Sequence, residues 1–407
     1  MTGPPGSPRD DDPGPAGWSV GRVRAPAFWR NVRVLQVLGQ VVFVLVLLWL
    51  LRGLYENLRS SVGRIGLDLS FDFLQTRAGI PIKEGISYDP NQSYLRAYLV
   101  GLVNTLRVAG VGIVLATTLG LIAGVARLSP NWLIRRTAQV YVEVFRNTPV
   151  LVQIVFWYFA VILALPVIGG GSLGGVAFLS NRGTAIPWPR GEPGAGVWAL
   201  LVLAGIPLAG LAHRWRTRVN ERIGEPTRPL AWAAGAFLAV AIAGFVLTGS
   251  PVRFDVPELV GRRYEGGFQL SGEFTAVLLG LVVYTAAFIA EIVRGSILAV
   301  EKGQKEAAMA LGLHPAQQLR LVVLPQAMRI AIPPINSQFL NLTKNSSLAV
   351  AVGYPELGSI SSTIINQAGR ATQVTLLVML TYLTISLAIS VCMNLLNRSV
   401  AYRGVRR

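Results

Sequence analysis

Three groups of polar residues interrupt apolar stretches of the sequence, and their side chains could bind a small polar molecule. The groups combine charges, amides and hydroxyls at close spacing: Arg146, Asn147, Thr148, Pro149 and Gln153; Glu291 and Arg294; and Lys344, Asn345 and Ser346. Cations and amide donors can hold a carboxylate, whereas carboxylate and carbonyl oxygens can hold an amine. We therefore treat these residues as candidates for a path that carries a zwitterionic molecule.

Two of these groups also have a purely structural interpretation, which the sequence leaves open. Glu291 and Arg294 are spaced i, i+3, as are Glu143 and Arg146, so each pair shares a helix face and could form an ion pair near a helix end. The polar residues around Lys344 could instead join two helices by hydrogen bonds inside a membrane. Ionisable groups at membrane depth are costly and usually face a partner or a cavity.

Pro149 predicts a break in its helix. Proline has no backbone N–H, so the Phe145 carbonyl loses its helical donor, and the residue before proline, Thr148, is disfavoured in the helical conformation. In transporters, broken helices expose backbone groups to the transported molecule. The alternative is a kink that serves packing alone.

The segment from Glu301 to Pro325 predicts two short helices joined at a sharp bend. Three alanines favour the first helix: Ala307, Ala308 and Ala310. Gly312 suits the position after a helix, where φ is positive. Pro315 suits the first turn of the second helix. Pro325 ends that helix or begins the next apolar run.

Covalent and metal chemistry have little support in the sequence. The two histidines, His213 and His314, are far apart and the single cysteine is Cys392, so a metal site has too few ligands. The dipeptide Gly-Lys of a nucleotide-binding P-loop does not occur. An intramembrane enzyme would need a nucleophile or a metal set, and neither is present.

The composition is that of a membrane protein. Of 407 residues, 52% are hydrophobic and 14% are charged, whereas a soluble domain carries about 25% charged residues. Roughly 20 apolar residues span a bilayer, and eight runs qualify: Val32–Leu51, Leu99–Val125, Thr137–Leu165, Val197–Ala212, Leu230–Leu247, Phe274–Val300, Arg329–Val352 and Val374–Leu396. We predict an all-α, polytopic transmembrane fold with about eight spans, and a loop over the Gly/Pro-rich stretch Gly169–Gly196.

Basic residues occupy every second connection between these runs. They precede the first run, follow the second, fourth and sixth runs, and recur in the C-terminal tail. Because cytoplasmic loops are enriched in Lys and Arg, we predict that both termini are cytoplasmic. The net charge of +17 therefore reflects orientation, and no nucleic-acid partner is expected.

These boundaries predict the organisation of the chain. We expect a disordered cytoplasmic tail over 1–30, a leading transmembrane helix over 31–52 and a periplasmic loop over 53–97. A membrane core follows over 98–397, and a cytoplasmic tail over 398–407. An extra helix pair, 196–248, is inserted into the core, and the bent element occupies 301–325.

The bent element resembles the signature of ABC importer permeases. In that signature Glu-Ala-Ala, a glycine four residues later and a terminal aliphatic-x-Leu-Pro recur at fixed spacing, and they correspond to Glu306, Ala307, Ala308, Gly312, Val322, Leu324 and Pro325. The resemblance implies a type I permease core whose coupling helix docks in a cleft of a cytoplasmic ABC ATPase, with the alanines seated deep and Glu306 at the rim. It also implies that ATP and Mg²⁺ bind to that partner and that this chain holds no cofactor.

Other segments resemble the polar amino acid branch of that family, and within it the general L-amino-acid permease subunits. They are Gly101–Leu106, Phe145–Gln153, Ala290–Gly295, Lys344–Leu348 and Gly353–Leu357. The resemblance implies import of polar L-amino acids across a bacterial inner membrane, surrounded by lipid. It also implies a second permease subunit, in a hetero- or homodimer, and an extracytoplasmic amino-acid-binding protein. The leading helix and the inserted pair depart from the short members of the branch.

The alternative function is an ion-coupled secondary amino acid transporter. Such a protein would be expected to show acidic groups at the centre of the membrane and internal repeats. The acids of this chain lie off-centre in their runs, and the bent element would have no task in that mechanism.

Overall fold

The computed structural model describes residues 32–65, 70–167, 172–173, 176–223, 228–261 and 263–400. The chain divides into two compact units, Met1–Ser70 and Phe71–Arg407. The tail predicted over 1–30 and the last seven residues of the chain lie outside the described residues.

Helices dominate the described part of the chain. The α-helices are α1 (Val32–Ile65), α2 (Tyr94–Ala126), α3 (Trp132–Asn147), α4 (Val150–Phe156), α5 (Ala195–Ile223), α6 (Pro229–Leu247), α7 (Gly272–Leu298), α8 (Lys302–Ala310), α9 (Pro315–Gln318), α10 (Leu324–Asn345), α11 (Leu357–Ala368) and α12 (Ala371–Val400). Wider or tighter turns adjoin them at Trp157–Ile162, Leu319–Val323 and Ser346–Val352, and a separate 3₁₀ turn lies at Asp72–Gln75.

Six of these helices are long and apolar enough to cross a membrane, and two bent pairs raise the number to eight. The first bent pair is α3 with α4, at 103°, and the second joins α10 to α11, at 56°. The predicted all-α polytopic fold with about eight spans is confirmed. The run predicted over Thr137–Leu165 therefore bends between α3 and α4, and the run predicted over Arg329–Val352 is followed by a bend before α11.

The leading helix extends beyond residue 52, where the sequence predicted the end of its transmembrane part. Helix α1 continues to Ile65, past residue 52, and an exposed ion pair between Arg52 Nε and Glu56 Oε1 at 2.8 Å supports its later turns. Helix α2 begins at Tyr94, where the Ser93 hydroxyl caps the helix by accepting a bond from the Arg96 amide. The connection between the two helices is therefore shorter than the predicted loop over 53–97.

Part of this connection packs on the membrane core. Ala78 and Ile80 are buried with Ile360 and Ile364 of α11 and Val374 of α12. The segment of residues 71 to 93 therefore packs against α11 and α12.

Helices α2 and α7 form the centre of the core, and glycines bring them together. A Cβ at Gly120 would lie 2.7 Å from the Ile289 side chain, and one at Gly124 would lie 2.8 Å from the Ala290 carbonyl oxygen. Small residues that allow close helix approach are the usual basis of packing in membranes. Gly280 plays the same part between α7 and Ile154 of α4.

The connections before α5 and after α6 contain short strands, which the prediction of a loop over Gly169–Gly196 missed. The strands are β1 (Ser172–Leu173), β2 (Ala177–Ser180), β3 (Gly183–Ile186), β4 (Trp188–Gly191), β5 (Val252–Asp255), β6 (Glu258–Val260), β7 (Arg263–Glu265) and β8 (Phe268–Ser271). All pairs are antiparallel, in one sheet of order β1-β2-β3-β8 and two ribbons, β4-β5 and β6-β7.

Two of these pairings join segments that are distant in sequence. Ala185 pairs with Gln269, and Trp188 pairs with Asp255. They close the base of the inserted helix pair, so α5 leaves the strands and α6 returns to them. Local sequence patterns cannot reveal such partners, because each strand has only two to four residues.

The inserted helices α5 and α6 form a hairpin that packs on itself. Gly205 lies against Phe237 and Val240, and the Trp198 indole donates to the Ala241 carbonyl oxygen at 2.9 Å. Only 6% of the most apolar window of either helix is buried. The hairpin therefore presents almost all of its surface to its surroundings.

Candidate functional site

The bent element, here called the coupling segment (Glu301–Pro325), folds as the sequence predicts. Helix α8 ends at Ala310, and Gly312 has φ +72°, the left-handed conformation that closes a helix. Pro315 begins α9, and the Gln317 side chain accepts a bond from the His314 amide at 2.9 Å. The predicted two short helices are confirmed, and Pro325 lies in the first turn of α10.

The coupling segment presents a mixed polar and apolar surface. Glu306 is exposed and lies 3.5 Å from Lys302 Nζ, and Ala307 is also exposed. Leu311 is 80% exposed and Met309 is 56% exposed. Apolar side chains are therefore exposed beside charged ones at the end of this short helix.

Two findings correct the sequence interpretation of this surface. Ala308 is buried against the chain itself, at 3% exposure, so Ala307 alone of that pair is available to a partner. Met309 was not singled out, although an apolar residue in a short charged helix could have revealed it. Leu324 is also exposed.

The coupling segment is anchored to two membrane helices. Val300, Val323 and Ala327 form a small buried cluster with Ile297, which joins the end of α7 to the start of α10. The Gln326 amide also donates to Gln304 Oε1 at 3.3 Å, which joins α10 to α8. These contacts therefore link the coupling segment to both α7 and α10.

Glu291 lies in a cluster of charges near the end of α7. It binds Arg294 at 2.5 Å, so the predicted ion pair forms, and it also binds Arg127 at the end of α2. Sequence reasoning did not identify Arg127 as a partner of Glu291. Its position at the end of an apolar run could have indicated such a role. The triad joins α2 to α7, and removing Glu291 would leave the Arg127 and Arg294 guanidinium groups without this carboxylate partner.

The other predicted charge pair does not form an ion pair in the described residues. The Glu143 carboxylate accepts a bond from Gln139 Nε2 at 2.7 Å. The Arg146 guanidinium lies over the ring of Phe288 on α7, 4.9 Å from its centroid. Arg146 therefore binds a neighbouring helix rather than its own, because the aromatic face attracts the cation.

The predicted helix break at Pro149 is present, and a side chain that the sequence did not link to it stabilises it. Helix α3 ends at Asn147, Thr148 is extended, and α4 begins after Pro149. The buried Gln153 side chain donates to the Phe145 carbonyl at 2.9 Å and to the Thr148 carbonyl at 3.0 Å. Gln153 therefore satisfies the carbonyl that the proline leaves without a donor. Asn147 is exposed at the end of α3.

The third polar group divides between the surface and the core. Lys344 is exposed and Asn345 is half-buried, whereas Ser346 is buried and donates to the Thr343 carbonyl at 2.7 Å. The turn Ser346–Val352 contacts both α4 and α7. The structure thus places the Gln153 helix beside the turn that begins at Ser346, while Glu291 lies with Arg127 at the end of α2.

A second polar network holds the break between α10 and α11. The Glu356 carboxylate caps α11 by accepting bonds from the Gly358 and Ser359 amides at 2.8 and 2.6 Å. From α2, Asn104 donates to the Pro355 carbonyl at 2.9 Å, and Thr105 accepts from the Leu357 amide at 3.0 Å. These contacts explain why both segments need polar residues in an apolar environment.

Comparison with known proteins decides the family. Residues 116–403 match the model of the binding-protein-dependent transport system inner membrane component. The chain belongs to this family. It is a permease, the membrane-spanning subunit of a binding-protein-dependent transport system, and its relatives are bacterial inner membrane proteins.

Several curated permeases are similar to this permease over nearly their whole length. The general L-amino acid transport system permease protein AapQ of Rhizobium johnstonii is 41% identical, covering 95% of this chain and 96% of the relative. The glutamate/glutamine/aspartate/asparagine transport system permease protein BztB of Rhodobacter capsulatus is 40% identical, covering 96% and 98%.

A solved structure titled as an amino acid ABC transporter with histidines matches at lower similarity. The TM-score is 0.45 and the identity 19%, covering 75% of this permease and 95% of that chain. The ion-coupled alternative finds no support among these relatives.

Proposed function

We propose that this permease imports polar L-amino acids, driven by a separate ATPase and supplied by an extracytoplasmic binding protein. The names of the relatives support the substrate class, since AapQ and BztB are described as amino acid transport system permeases. The family description supports dependence on a binding protein.

The observation that carries this proposal is the exposed and anchored coupling segment. Glu306, Ala307 and Leu311 are available to a partner, while Val323 and Ala327 fix the segment to α7. Such an element suits the transfer of a partner's motion to the membrane helices. ATP-driven closure of two ATPase copies would draw two coupling segments together and open the path outward, and hydrolysis would reset it.

The assembly we propose contains a second permease subunit, as a heterodimer or a homodimer, with both termini of this chain in the cytoplasm. The candidate path residues are those at the α3–α4 break and beside it. Gln153 supports the break from within, so the exposed Arg146 and Asn147 are better placed to contact substrate. Lys344 is exposed at the end of α10 and offers a cation for a carboxylate.

The test is a charge reversal on the coupling segment. In the reconstituted transporter, Glu306→Arg should abolish ATP-driven amino acid uptake and the stimulation of ATPase activity by the binding protein. Glu306 is exposed and its ion pair with Lys302 is long, so membrane insertion and thermal stability should not change. The measurement is uptake of a radiolabelled amino acid into vesicles that contain ATP.

Glu301→Arg provides the matched control. Glu301 is exposed and undergoes the same charge change, but it lies immediately before α8, where its backbone is not helical (ψ 137°), so it is not part of the helix that carries Glu306. We expect uptake close to that of the unmodified transporter. Equal loss in both variants would show a general charge effect, and unchanged uptake in Glu306→Arg would contradict the coupling assignment.

A further inference from the structure

The inserted hairpin has an open groove near the connection between its helices. The groove has a volume of about 530 Å³, and its lining includes Ala212 and Trp215 of α5 and Trp232, Gly235 and Ala239 of α6. Its walls are almost entirely apolar, and the glycine and alanines leave a smooth channel along α6. A hydrocarbon chain fits such a surface, whereas a polar ligand would find no hydrogen-bonding partner along it.

Two tryptophans and an arginine form one end of this groove. The Trp215 and Trp232 rings meet edge to face at 6.2 Å, and both residues are more than half exposed. The Arg216 guanidinium lies 5.2 Å from the centroid of the Trp232 ring. Tryptophan is enriched at the level of lipid headgroups, because its ring is amphipathic. This end of the groove therefore lies at the membrane–water interface.

Further arginines continue from this end. Helix α5 has 29 residues and is therefore about 44 Å long, which exceeds a hydrocarbon core of about 30 Å. Arg218 and Arg222 follow Trp215 at i+3 and i+7, so they lie on the same helix face, one and two turns beyond the tryptophan. Within the described residues, neither arginine forms an ion pair.

We propose that this groove binds an anionic phospholipid of the surrounding membrane. An acyl chain lies along Gly235 and Ala239, and the phosphate is held by Arg218 and Arg222. Charge complementarity selects this occupant: an apolar channel ends at several cations, which is the arrangement of a lipid with a negative headgroup. The sparse burial of the hairpin leaves room for such a lipid.

Native mass spectrometry of the whole purified transporter tests the proposal, with phosphatidylglycerol as the probe. The unmodified complex should retain phosphatidylglycerol in preference to phosphatidylcholine. Each arginine near an anionic membrane surface contributes about 1 kcal/mol, or about fivefold. The double substitution Arg218→Gln and Arg222→Gln should therefore weaken retention about 25-fold.

Two matched controls separate a specific site from general attraction. Arg398→Gln removes the same charge from an exposed position in the last turn of α12, outside the hairpin, and should change retention by less than twofold. Gly235→Leu fills the groove without a clash, since nothing lies within 4 Å of its Cβ position, and should abolish retention. Gly210→Leu, equally free of neighbours, should leave it intact.

Three outcomes would overturn the proposal. Arg398→Gln could weaken retention as much as the double substitution, which would indicate diffuse attraction. Phosphatidylcholine could be retained equally, which would exclude charge selection. A photo-crosslinker at Ala239 could react with the second permease subunit instead of with lipid, which would show that a protein fills the groove.

Discussion

Helix α7 and the α5–α6 hairpin are equally apolar but differ in packing. The most apolar window of α7 has a mean hydropathy of 2.3, against 2.1 for α5 and 2.3 for α6. Yet 61% of that window of α7 is buried, against 6% for each hairpin helix. Hydropathy therefore identifies a span but does not tell whether the span belongs to the transport core.

Close helix–helix contacts and polar bonds explain why α7 is more buried than α5 and α6. Helix α7 contacts α2 at Gly120 and Gly124, contacts α4 at Gly280, and binds Arg127 through Glu291. The hairpin uses its close glycine contacts, at Gly205 and Gly244, between its own two helices. A span that shares such contacts with several helices can transmit motion, whereas a self-contained pair cannot.

The largest expected effect comes from enlarging a glycine in the core. Gly120→Leu should disrupt the contact of α2 with α7, because even a Cβ would lie 2.7 Å from Ile289. Overpacking a core costs about 1–3 kcal/mol and occasionally more, and this site has backbone on one side. We expect a large fall in melting temperature, measured by size exclusion of heated samples. We also expect loss of amino acid uptake.

The hairpin supplies the control for that experiment. Gly210→Leu places the same side chain at a position with nothing within 4 Å of its Cβ. Its melting temperature should match that of the unmodified protein. A similar fall in both variants would remove the distinction between the core and the hairpin.

A smaller effect is expected at the α3–α4 break. Gln153→Leu keeps the volume roughly constant but leaves the Phe145 and Thr148 carbonyls without their donor. An unsatisfied buried polar group costs about 1–3 kcal/mol, so stability and uptake should both fall. Gln139→Leu, on the preceding helix, removes a side-chain bond that is exposed to solvent and should change neither, and equal effects would contradict the support we assign to Gln153.

The smallest effect is expected in the segment of residues 71 to 93, which contains Glu84. Burial raises the pKa of Glu84, against the lowering influence of a bond from Ser271 and of nearby Arg107, while Glu273 raises it further. Protonated Glu84 is thus favoured in the folded state. Its contribution to stability is present below the ordinary pKa of glutamate and is lost as pH rises through the raised value.

Glu84→Gln should therefore flatten the pH dependence of melting. The difference in melting temperature between the variant and the unmodified protein should grow in favour of the variant as pH rises through the raised pKa. Thermal melts at several pH values measure it. A constant difference across the range would contradict the buried position of this carboxyl.

The sequence predicts the elements that depend on local chemistry. Gly312 and Pro315 specify the bend of the coupling segment, Pro149 specifies the break, and apolar length specifies the spans. These predictions are correct because glycine and proline restrict the backbone of the residue itself and of its neighbours.

The features that sequence reasoning missed depend on distant partners. Arg127 joins Glu291 from 164 residues away, and β3 pairs with β8 across the whole inserted hairpin. Gln153 was singled out as a path residue, but its bonds to the Phe145 and Thr148 carbonyls could not be foreseen, because the bend that turns its side chain back toward α3 is a tertiary feature. The burial of Ala308 likewise follows from how α8 lies on the core.

The most direct test of the central claim is a photo-crosslinking experiment on the coupling segment. A photoreactive residue in place of Leu311, which is 80% exposed, should form an adduct with the ATPase subunit in the assembled transporter. The same residue in place of Leu203, which is 60% exposed on the hairpin, should not. An ATPase adduct at Leu311 alone is the result we predict. No adduct at Leu311, or equal adducts at both positions, would contradict the assignment of this segment as the link to the ATPase.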